Sequence, residues 1–335
     1  MKNLRKMMNN HMFKLLLVAL VLSSLVGPFA VNSAYSQDST TTTVSPNPSS
    51  VTIGNTITYT ATVTDTSASP TTPGGSVSWG DASAGGSFSD SGSCTLSTLD
   101  TTSASCTIIY TPPSVATTVT VTATYSGDVE HLGSSGTSTL TVSLRTTSTA
   151  VSPNPSTVTI GNTITYTATV ADISPGSAST PTGTASWSDG GAGGSFSNSG
   201  SCTLLSGTCS IVYAPASTLG SVTITATYGG DPTHAGSSGT SSLTVLTPAQ
   251  ATQNLIKLVD SLNLPKGITN SLDAKLRAAI NSLNRGNPTP AKNQLNAFIN
   301  EVKAQTAKAQ TAKKITSTQA AQLIAAASDI IKALH

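Results

Sequence analysis

The four cysteines of the chain are the residues whose possible chemistry is most limited by their spacing. Cys94 and Cys106 lie twelve positions apart, and Cys202 and Cys209 lie seven apart. Such pairs could bind a metal, exchange disulfides or crosslink the chain. A zinc site needs further ligands and C-x2-C spacing, and a redox pair has C-x-x-C spacing; neither pattern is present. The spacing therefore favours two structural disulfides, Cys94–Cys106 and Cys202–Cys209.

An internal repeat indicates where these cysteines lie. The segment "VSPNPSSVTIGNTITYTATV" at 44–63 returns as "VSPNPSTVTIGNTITYTATV" at 151–170. The two copies align only if a length difference of about five residues falls between the cysteines of each pair, and length changes are tolerated at loop tips. We therefore predict that each pair flanks the tip of a hairpin, with one cysteine on each of its two strands.

Apolar residues alternate with threonines within each copy, as in "NTITYTATV" at 55–63. This period of two is typical of a strand with one buried face. No helical stretch is available for parallel crossovers, so about seven antiparallel strands per copy should form a two-sheet sandwich. Trp79 and Trp187, the only tryptophans, stand at matching places. We predict that they fill the space between the sheets.

The turns "YSGDVEH" and "YGGDPTH" contain the remaining candidate polar cluster. The matching residues are Asp128, Glu130 and His131 in the first copy and Asp231, Thr233 and His234 in the second. Carboxylates and imidazole could bind calcium or another metal. A turn in which the aspartate hydrogen-bonds to its own loop accounts for the same residues. The second copy lacks the glutamate, which favours the turn, and we predict no metal site.

The usual catalytic constellations are missing from the sequence. Glu130 and Glu301 are the only glutamates, and they fall in different predicted modules, which argues against a glycosidase with paired carboxylates. There is no G-x-S-x-G elbow and no phosphate-binding glycine loop before a helix. We predict that the protein is not an enzyme, with no catalytic residue and no bound cofactor.

The start of the chain has the order of a secretory signal. Basic residues precede an apolar run at 15–26, and small residues follow Gly27-Pro28 as far as Ala34. We predict a signal peptide at 1–34 that is cleaved near Ala34. An uncleaved anchor is the alternative, because the uncharged stretch approaches the length of a membrane span. Either outcome places the protein outside the cell or at its surface, where disulfides persist.

Charge and periodicity both change after residue 247. Residues 35–247 contain one basic residue, Arg145, and ten acidic ones, whereas 248–335 contain eleven basic and four acidic residues. The apolar spacing becomes three and four, which predicts four amphipathic helices. Thr247-Pro248 should begin the first helix, Gly286 and Pro288 should end the second, and "TSTQ" at 316–319 should cap the fourth. The basic surface fits an acidic polymer or glycan; an ordinary solvated face is the alternative, and nucleic acid is not expected.

The segment "TPTGTASWSDG" with "GSVTITATYGGDPTHAGSSGTSSLTV" resembles the bacterial Ig-like repeat domains of surface and secreted proteins. The resemblance covers 39–144 and 146–246, although the first copy has Pro73-Gly74-Gly75 where the pattern has Pro-Thr-Gly. It implies a sandwich that serves as a spacer or adhesive module. The tail, with "NLIKLVDSL" and "AKNQLNAFINEV", resembles the FIMAH domain, which implies an extracellular accessory module.

The sequence therefore predicts a multidomain protein with a signal peptide at 1–34, two all-β immunoglobulin-like sandwiches at 39–144 and 146–246, and a small all-α four-helix domain at 250–335. We expect an elongated monomer in which the sandwiches act as a spacer or adhesion unit for an unknown surface component. One alternative is a protein that binds glycan or calcium through its sandwich loops. Another is a subunit of a cell-envelope lattice.

Overall fold

The computed structural model describes residues 36–216, 219–307 and 315–334. The predicted signal peptide at 1–34 lies outside the described residues. The predicted fold class is confirmed: two β-sandwiches are followed by a small domain of four helices. The strands of the first sandwich are β1 (Thr40–Ser45), β2 (Ser49–Thr52), β3 (Ile57–Asp65), β4 (Ser76–Gly80), β5 (Ser87–Phe88), β6 (Ser93–Thr95), β7 (Ser97–Thr98), β8 (Ser103–Thr111), β9 (Thr117–Gly127) and β10 (Leu132–Ser143).

The second sandwich repeats this arrangement. Its strands are β11 (Thr147–Ser152), β12 (Ser156–Thr159), β13 (Ile164–Asp172), β14 (Thr184–Ser188), β15 (Ser195–Phe196), β16 (Ser201–Thr203), β17 (Thr208–Ala214), β18 (Gly220–Tyr228) and β19 (Ser237–Leu246). The sheets of the first sandwich have the orders β1-β3-β8-β5 and β2-β10-β9-β4-β6, and those of the second have β11-β13-β17-β15 and β12-β19-β18-β14-β16. More strands form than the seven predicted, because several edge strands are only two or three residues long.

One feature of the sheets departs from the all-antiparallel prediction. The short strand β2 pairs in parallel with β10, and β12 pairs in parallel with β19. The chain runs in one direction through β1 and β2 but changes sheet at the "SPNPS" segment between them. Pro46 and Pro48 have no N–H to donate to a ladder, so the first sheet ends there and the chain joins the other.

The alternating pattern buries one face of each strand, as predicted. Trp79 and Trp187 both lie in the cores between the sheets. Tyr59 and its counterpart Tyr166 are fully buried, and each shares a short hydroxyl contact of 2.6 Å with a serine at the start of β2 or β12. The threonines between the buried residues remain on the solvent side, where their branched side chains favour the extended backbone.

The disulfides do not lie where the hairpin prediction placed them. The structure joins Cys94 to Cys106 and Cys202 to Cys209, each with 5.8 Å between the Cα atoms. Cys94 lies in β6, which pairs with β4, whereas Cys106 lies in β8 of the opposite sheet. The length difference does fall at a tip between the cysteines, but the chain changes sheet before it reaches that tip. Each disulfide therefore connects the two sheets across the sandwich.

The C-terminal domain has four helices in its described residues. They are α1 (Pro248–Ser261), α2 (Lys266–Asn284), α3 (Pro288–Ala307) and α4 (Ser317–Lys332). Thr247 caps α1 and Thr316 caps α4, each in a reciprocal capping box with a glutamine, as the sequence predicts. Consecutive helices pack together and α4 returns to α1. The apolar stripes meet in one core.

Among the residues that the structure describes, no α-helix combines the length and hydropathy that a membrane span requires.

Candidate functional site at the ends of the sandwiches

The polar side chains singled out from the sequence collect at one end of each sandwich. We call this end the entry pole, because the chain enters the sandwich there. It comprises Asp38, residues 65–71 and residues 128–131 in the first sandwich, and Arg145, residues 172–179 and residues 231–234 in the second. Asp38 and Arg145 are equivalent: each forms an isolated parallel bridge, to His131 and to His234 respectively.

The turn at 128–131 is held by the carboxylate of Asp128. Its Oδ1 accepts hydrogen bonds of 2.8 Å from the backbone N–H groups of Glu130 and His131, and it contacts Nδ1 of His131 at the same distance. Its Oδ2 accepts from the N–H of Gly74 at 2.8 Å. The carboxylate thus closes its own turn and ties it to the loop before β4. Asp128 hydrogen-bonds within its loop, as the turn interpretation predicts.

Asp231 has the same role in the second sandwich. Its Oδ1 accepts from the N–H groups of Thr233 and His234 at 2.8 Å, and its Oδ2 accepts from the N–H of Thr182 at 2.9 Å. Thr182 occupies the place of Gly74, and both donate through the backbone. This explains why the sequence can differ between the copies at that position without a change of fold.

Hydrogen bonding lowers the pKa of these two carboxyl groups. Burial alone would raise the pKa of Asp128 and of Asp231, because it penalises the charged form. The N–H donors of Gly74 and Glu130 outweigh this effect in the first sandwich, and those of Thr182 and Thr233 outweigh it in the second. Both pKa values therefore lie well below the ordinary aspartate value. These carboxylates are anionic, but their oxygens already accept several hydrogen bonds each.

A second aspartate lies deeper in each entry pole, and no sequence pattern indicated its role. Asp65 ends β3 and accepts from the N–H groups of Ser67 and Thr71 at 2.8 and 2.7 Å. Its Oδ2 lies 3.4 Å from Nε2 of His131. The imidazole of His131 is 1% exposed and stands between Asp65 and Asp128.

Asp128 and Asp65 raise the pKa of His131. Burial by itself would lower the pKa of His131, but the hydrogen bond to Asp128 and the charges of Asp128 and Asp65 outweigh it and raise the pKa above 6.5. Asp65 is shifted in the opposite direction. Burial would raise the pKa of Asp65, but the N–H groups of Ser67 and Thr71 hold it below the ordinary value.

Arg145 replaces the histidine as the main partner of the deeper aspartate in the second sandwich. Its Nε donates to Oδ2 of Asp172 at 2.5 Å, and their side chains are only 3% and 1% exposed. Asp172 also accepts from the N–H groups of Ser174 and Ser179 at 2.9 Å. Burial would raise the pKa of Asp172, but Ser179 and Arg145 hold it well below the ordinary value.

Arg145 also reaches into the preceding sandwich. Its Nη1 donates to the carbonyl oxygen of Ile53 at 3.0 Å, and Nη2 lies 3.5 Å from the carbonyl oxygen of Pro175. One buried guanidinium therefore contacts both sandwiches at their joint. The sequence offered one signal for this role, since Arg145 is the only basic residue between 35 and 247.

The glycine-rich "AGGSF" segments make room for a tyrosine rather than a ligand. A Cβ atom on Gly86 would lie 2.1 Å from the hydroxyl oxygen of Tyr110. That hydroxyl donates to Oδ2 of Asp81 at 2.9 Å, and Tyr213 donates to Asp189 at 3.0 Å in the second sandwich. Burial and the neighbouring carboxylate raise the pKa of Tyr110 well above 10.

The cysteines complete the set of sequence-predicted residues, and they lie apart from the entry poles. The indole Nε1–H of Trp79 donates to Sγ of Cys94 at 3.1 Å, and Trp187 makes the same contact with Cys202. Each disulfide is thus packed against the tryptophan of its own core. Across the residues that the structure describes, no group of three or more His, Cys, Asp or Glu side chains is arranged to hold a metal ion.

Comparisons with known proteins agree with this architecture. Residues 151–246 match the model of the bacterial Ig-like domain (group 3), and residues 249–332 match the model of the FIMAH domain. The chain contains a bacterial Ig-like domain followed by a FIMAH domain. Both resemblances stated from the sequence are confirmed, in the same order.

Solved structures that the chain resembles include the titin domains Z1Z2 in complex with telethonin, with 16% identity, 63% of this chain and 95% of that chain covered, and a TM-score of 0.30. The D0-D1 domain of intimin has 16% identity, with 61% and 97% covered and a TM-score of 0.23. Domains 4 and 5 of the S-layer protein SbsC have 20% identity, with 41% and 69% covered and a TM-score of 0.22. No curated protein matches the chain.

The FIMAH domain adjoins the opposite end of the second Ig-like domain. The side-chain amide of Asn162 donates to the carbonyl oxygen of Asp329 in α4 at 2.7 Å. A cleft of about 430 Å³ lies beside this contact, lined by residues of β12, α1 and α4. Leu246, the last residue of β19, is followed at once by the N-cap of α1, so only Thr247 separates strand from helix.

Proposed function

We propose that this protein is an exported, non-enzymatic structural protein of the cell surface. Its two Ig-like sandwiches act as a spacer or adhesion unit, and the FIMAH domain is carried at their C-terminal end. The observation that carries the proposal is the joint at Arg145. A spacer must keep successive domains in a fixed order, and here a single buried guanidinium binds both of them.

The disulfides support the exported location. Each bond connects the two sheets of one sandwich, and the described residues contain no free cysteine. Disulfides of this kind persist in oxidising compartments and are rare in the cytosol. The predicted signal peptide supports the same location.

The chemistry of the entry poles favours a structural role over calcium binding. The oxygens of Asp65, Asp128, Asp172 and Asp231 accept hydrogen bonds from backbone N–H groups of their own and neighbouring loops. A calcium ion takes six to eight oxygen ligands, so it would have to displace these bonds. The matched bacterial Ig-like and FIMAH domains are non-catalytic families, which supports the non-enzymatic part of the proposal.

Two measurements test the proposal. Protease treatment of intact cells should remove the protein without lysis, whereas full protection would contradict a surface location. Small-angle scattering of the purified chain should give an elongated monomer. A compact particle would contradict the spacer function, and self-assembly into sheets would replace it with a lattice function.

A pull-down from the intact cell surface identifies the binding partner of the protein and the domain that binds it. The full-length chain is compared with one that ends at residue 247. If the surplus of lysines in the FIMAH domain binds an acidic polymer or glycan, the shorter chain should lose the partner, and binding should weaken with added salt. Equal capture by both chains would assign the adhesion surface to the sandwiches.

A further inference from the structure

Each sandwich has the same turn at the end opposite its entry pole. The turn is "TIGN", at residues 52–55 and again at 159–162. The N–H of Ile53 donates to the carbonyl oxygen of Ser143 at 3.0 Å, and the N–H of Ile160 donates to that of Leu246 at 2.9 Å. The turn is thereby fixed to the end of the last strand, which is the place where the chain leaves for the next module.

The first of these turns contacts the second sandwich through three features. The side-chain amide of Asn55 donates to the carbonyl oxygen of Pro175 at 3.1 Å. The carbonyl of Ile53 accepts from Arg145 at 3.0 Å. Gly176 has a φ of +89°, which favours glycine, and a Cβ atom there would lie 2.2 Å from Oδ1 of Asn55, so a larger residue would be strained and would displace the asparagine side chain.

The second turn makes the corresponding contact with the helical domain. Asn162, the counterpart of Asn55, donates from its side-chain amide to the carbonyl oxygen of Asp329 at 2.7 Å. The second sandwich and the helical domain have unrelated folds, yet each accepts a hydrogen bond from the equivalent asparagine through a backbone carbonyl oxygen. A backbone carbonyl is available on any fold, whereas a side-chain partner would restrict the turn to one kind of module.

We propose that the T-I-G-N turn is a connector that binds whichever module follows its sandwich. Arg145, Pro175 and Gly176 form the receptor for the first connector, and the C-terminal part of α4 forms the receptor for the second. This inference deepens the proposed spacer function and rests on it. It gives the FIMAH domain a structural role, because this domain occupies the connector of the second sandwich.

The entry pole of the first sandwich does not have the features of this receptor. Asp38 stands where the second sandwich has Arg145, and a carboxylate cannot donate to the carbonyl of a connector. The loop at 66–70, "TSASP", has no glycine to correspond to Gly176. The two copies are therefore not interchangeable, and a second copy of the chain cannot dock at this pole in the way that the first sandwich docks at the second.

The proposal is tested with Asn55→Ala and Asn162→Ala in the full mature chain, where each variant is the matched control for the other. Bio-orthogonal spin labels are placed at the exposed residues Thr107, Thr223 and Asn296, one in each module. Pulsed EPR then measures two distance distributions, 107–223 across the first joint and 223–296 across the second.

We expect a narrow distribution across both joints in the parent chain. Asn55→Ala should broaden only the 107–223 distribution, and Asn162→Ala only the 223–296 distribution. Gly176→Ala should broaden 107–223 as well, and the double variant with Asn55→Ala should be less broad than the sum of the two single effects, because both changes disrupt the same contact. Broad distributions in the parent chain, or none altered by either asparagine variant, would overturn the inference. This result is independent of where the protein resides, which the protease experiment decides.

Discussion

Asp65 and Asp172 occupy equivalent buried positions but are paired with different basic side chains. His131 lies 3.4 Å from Asp65, whereas Nε of Arg145 lies 2.5 Å from Asp172 and His234 is more distant, at 3.9 Å. Arginine remains charged at every accessible pH, whereas histidine does not. The two sandwiches have the same fold and similar sequences, yet their stabilities should respond differently to pH.

The contribution of His131 to the free energy of unfolding of the first sandwich should fall as the pH rises above 6.5. The folded-state pKa of His131 is raised above the unfolded value of 6.5. A raised histidine pKa stabilises the fold below the unfolded pKa, and this contribution is lost as the pH rises through the folded pKa. Asp65 and Asp128 have lowered pKa values, so their contributions are lost instead as the pH falls below the ordinary value of 3.8.

Urea unfolding monitored by tryptophan fluorescence measures the stability of each sandwich separately. Trp187→Phe leaves Trp79 as the reporter of the first sandwich, and Trp79→Phe leaves Trp187 for the second. His131→Gln should remove from the Trp79 signal the decline in stability that begins as the pH rises above 6.5. An unchanged pH profile in that variant would show that His131 is not the titrating group.

At the scale of single elements, the disulfides contribute to the free energy of unfolding of the sandwiches, and the helix caps contribute to that of the helical domain. Each disulfide connects strands of opposite sheets, so its loss frees one sheet from the other. Chain-entropy arguments give about 3 kcal/mol for the loop closed by Cys94–Cys106 and about 2.5 kcal/mol for that closed by Cys202–Cys209.

Reduction should lower the free energy of unfolding of both sandwiches by about these amounts, as measured in urea with and without a thiol reductant. Cys94→Ala with Cys106→Ala should cost more than reduction alone, because it also removes the sulfur that accepts from the indole of Trp79. Equal stability with and without reductant would contradict the predicted contribution of the crosslinks.

Thr247→Ala should destabilise the helical domain by about 1 kcal/mol, because the cap of α1 would lose its side-chain acceptor for the N–H of Gln250. Thermal unfolding followed by circular dichroism at the helix band measures this change. Thr247→Ser keeps the hydroxyl and serves as the control. A serine variant as unstable as the alanine variant would assign the effect to packing rather than to capping.

At the scale of the whole molecule, the arginine that contacts both sandwiches at their joint is also one half of a buried ion pair. Arg145→Met would leave the carboxylate of Asp172 buried without its cation. Removing one partner of a buried pair costs about 3–5 kcal/mol, and we expect that loss in the Trp187 unfolding signal. The Trp79 signal should change little, because Asp65 has His131 as its partner.

Asp172→Asn provides the second half of this test. The double variant should be less destabilised than the sum of the two single variants, because no buried charge is then left unpaired. Strict additivity would show that the two side chains do not stabilise each other in the folded chain. Scattering from the Arg145→Met variant should also show a wider range of shapes than the parent chain.

The sequence by itself determined the local structure and the fold class of each module. A period of two in "NTITYTATV" makes strands, spacings of three and four make helices, and Thr247 and Thr316 cap helices through residues three positions away. These features depend on neighbours in the chain, so they can be read from the sequence. The pairing of cysteines within each copy was likewise limited by short separations.

Only the tertiary structure decided what lies between elements and between modules. The length difference between the copies located a loop tip, but it could not show that the chain changes sheet between Cys94 and Cys106. The roles of Asp65, Asp172 and Arg145 depend on loops that meet from distant parts of the chain. The same holds for Asn55, whose partner Pro175 lies 120 residues away. Such contacts leave no periodic trace in the sequence, because each is fixed by the packing of whole sheets and modules rather than by the residues beside it.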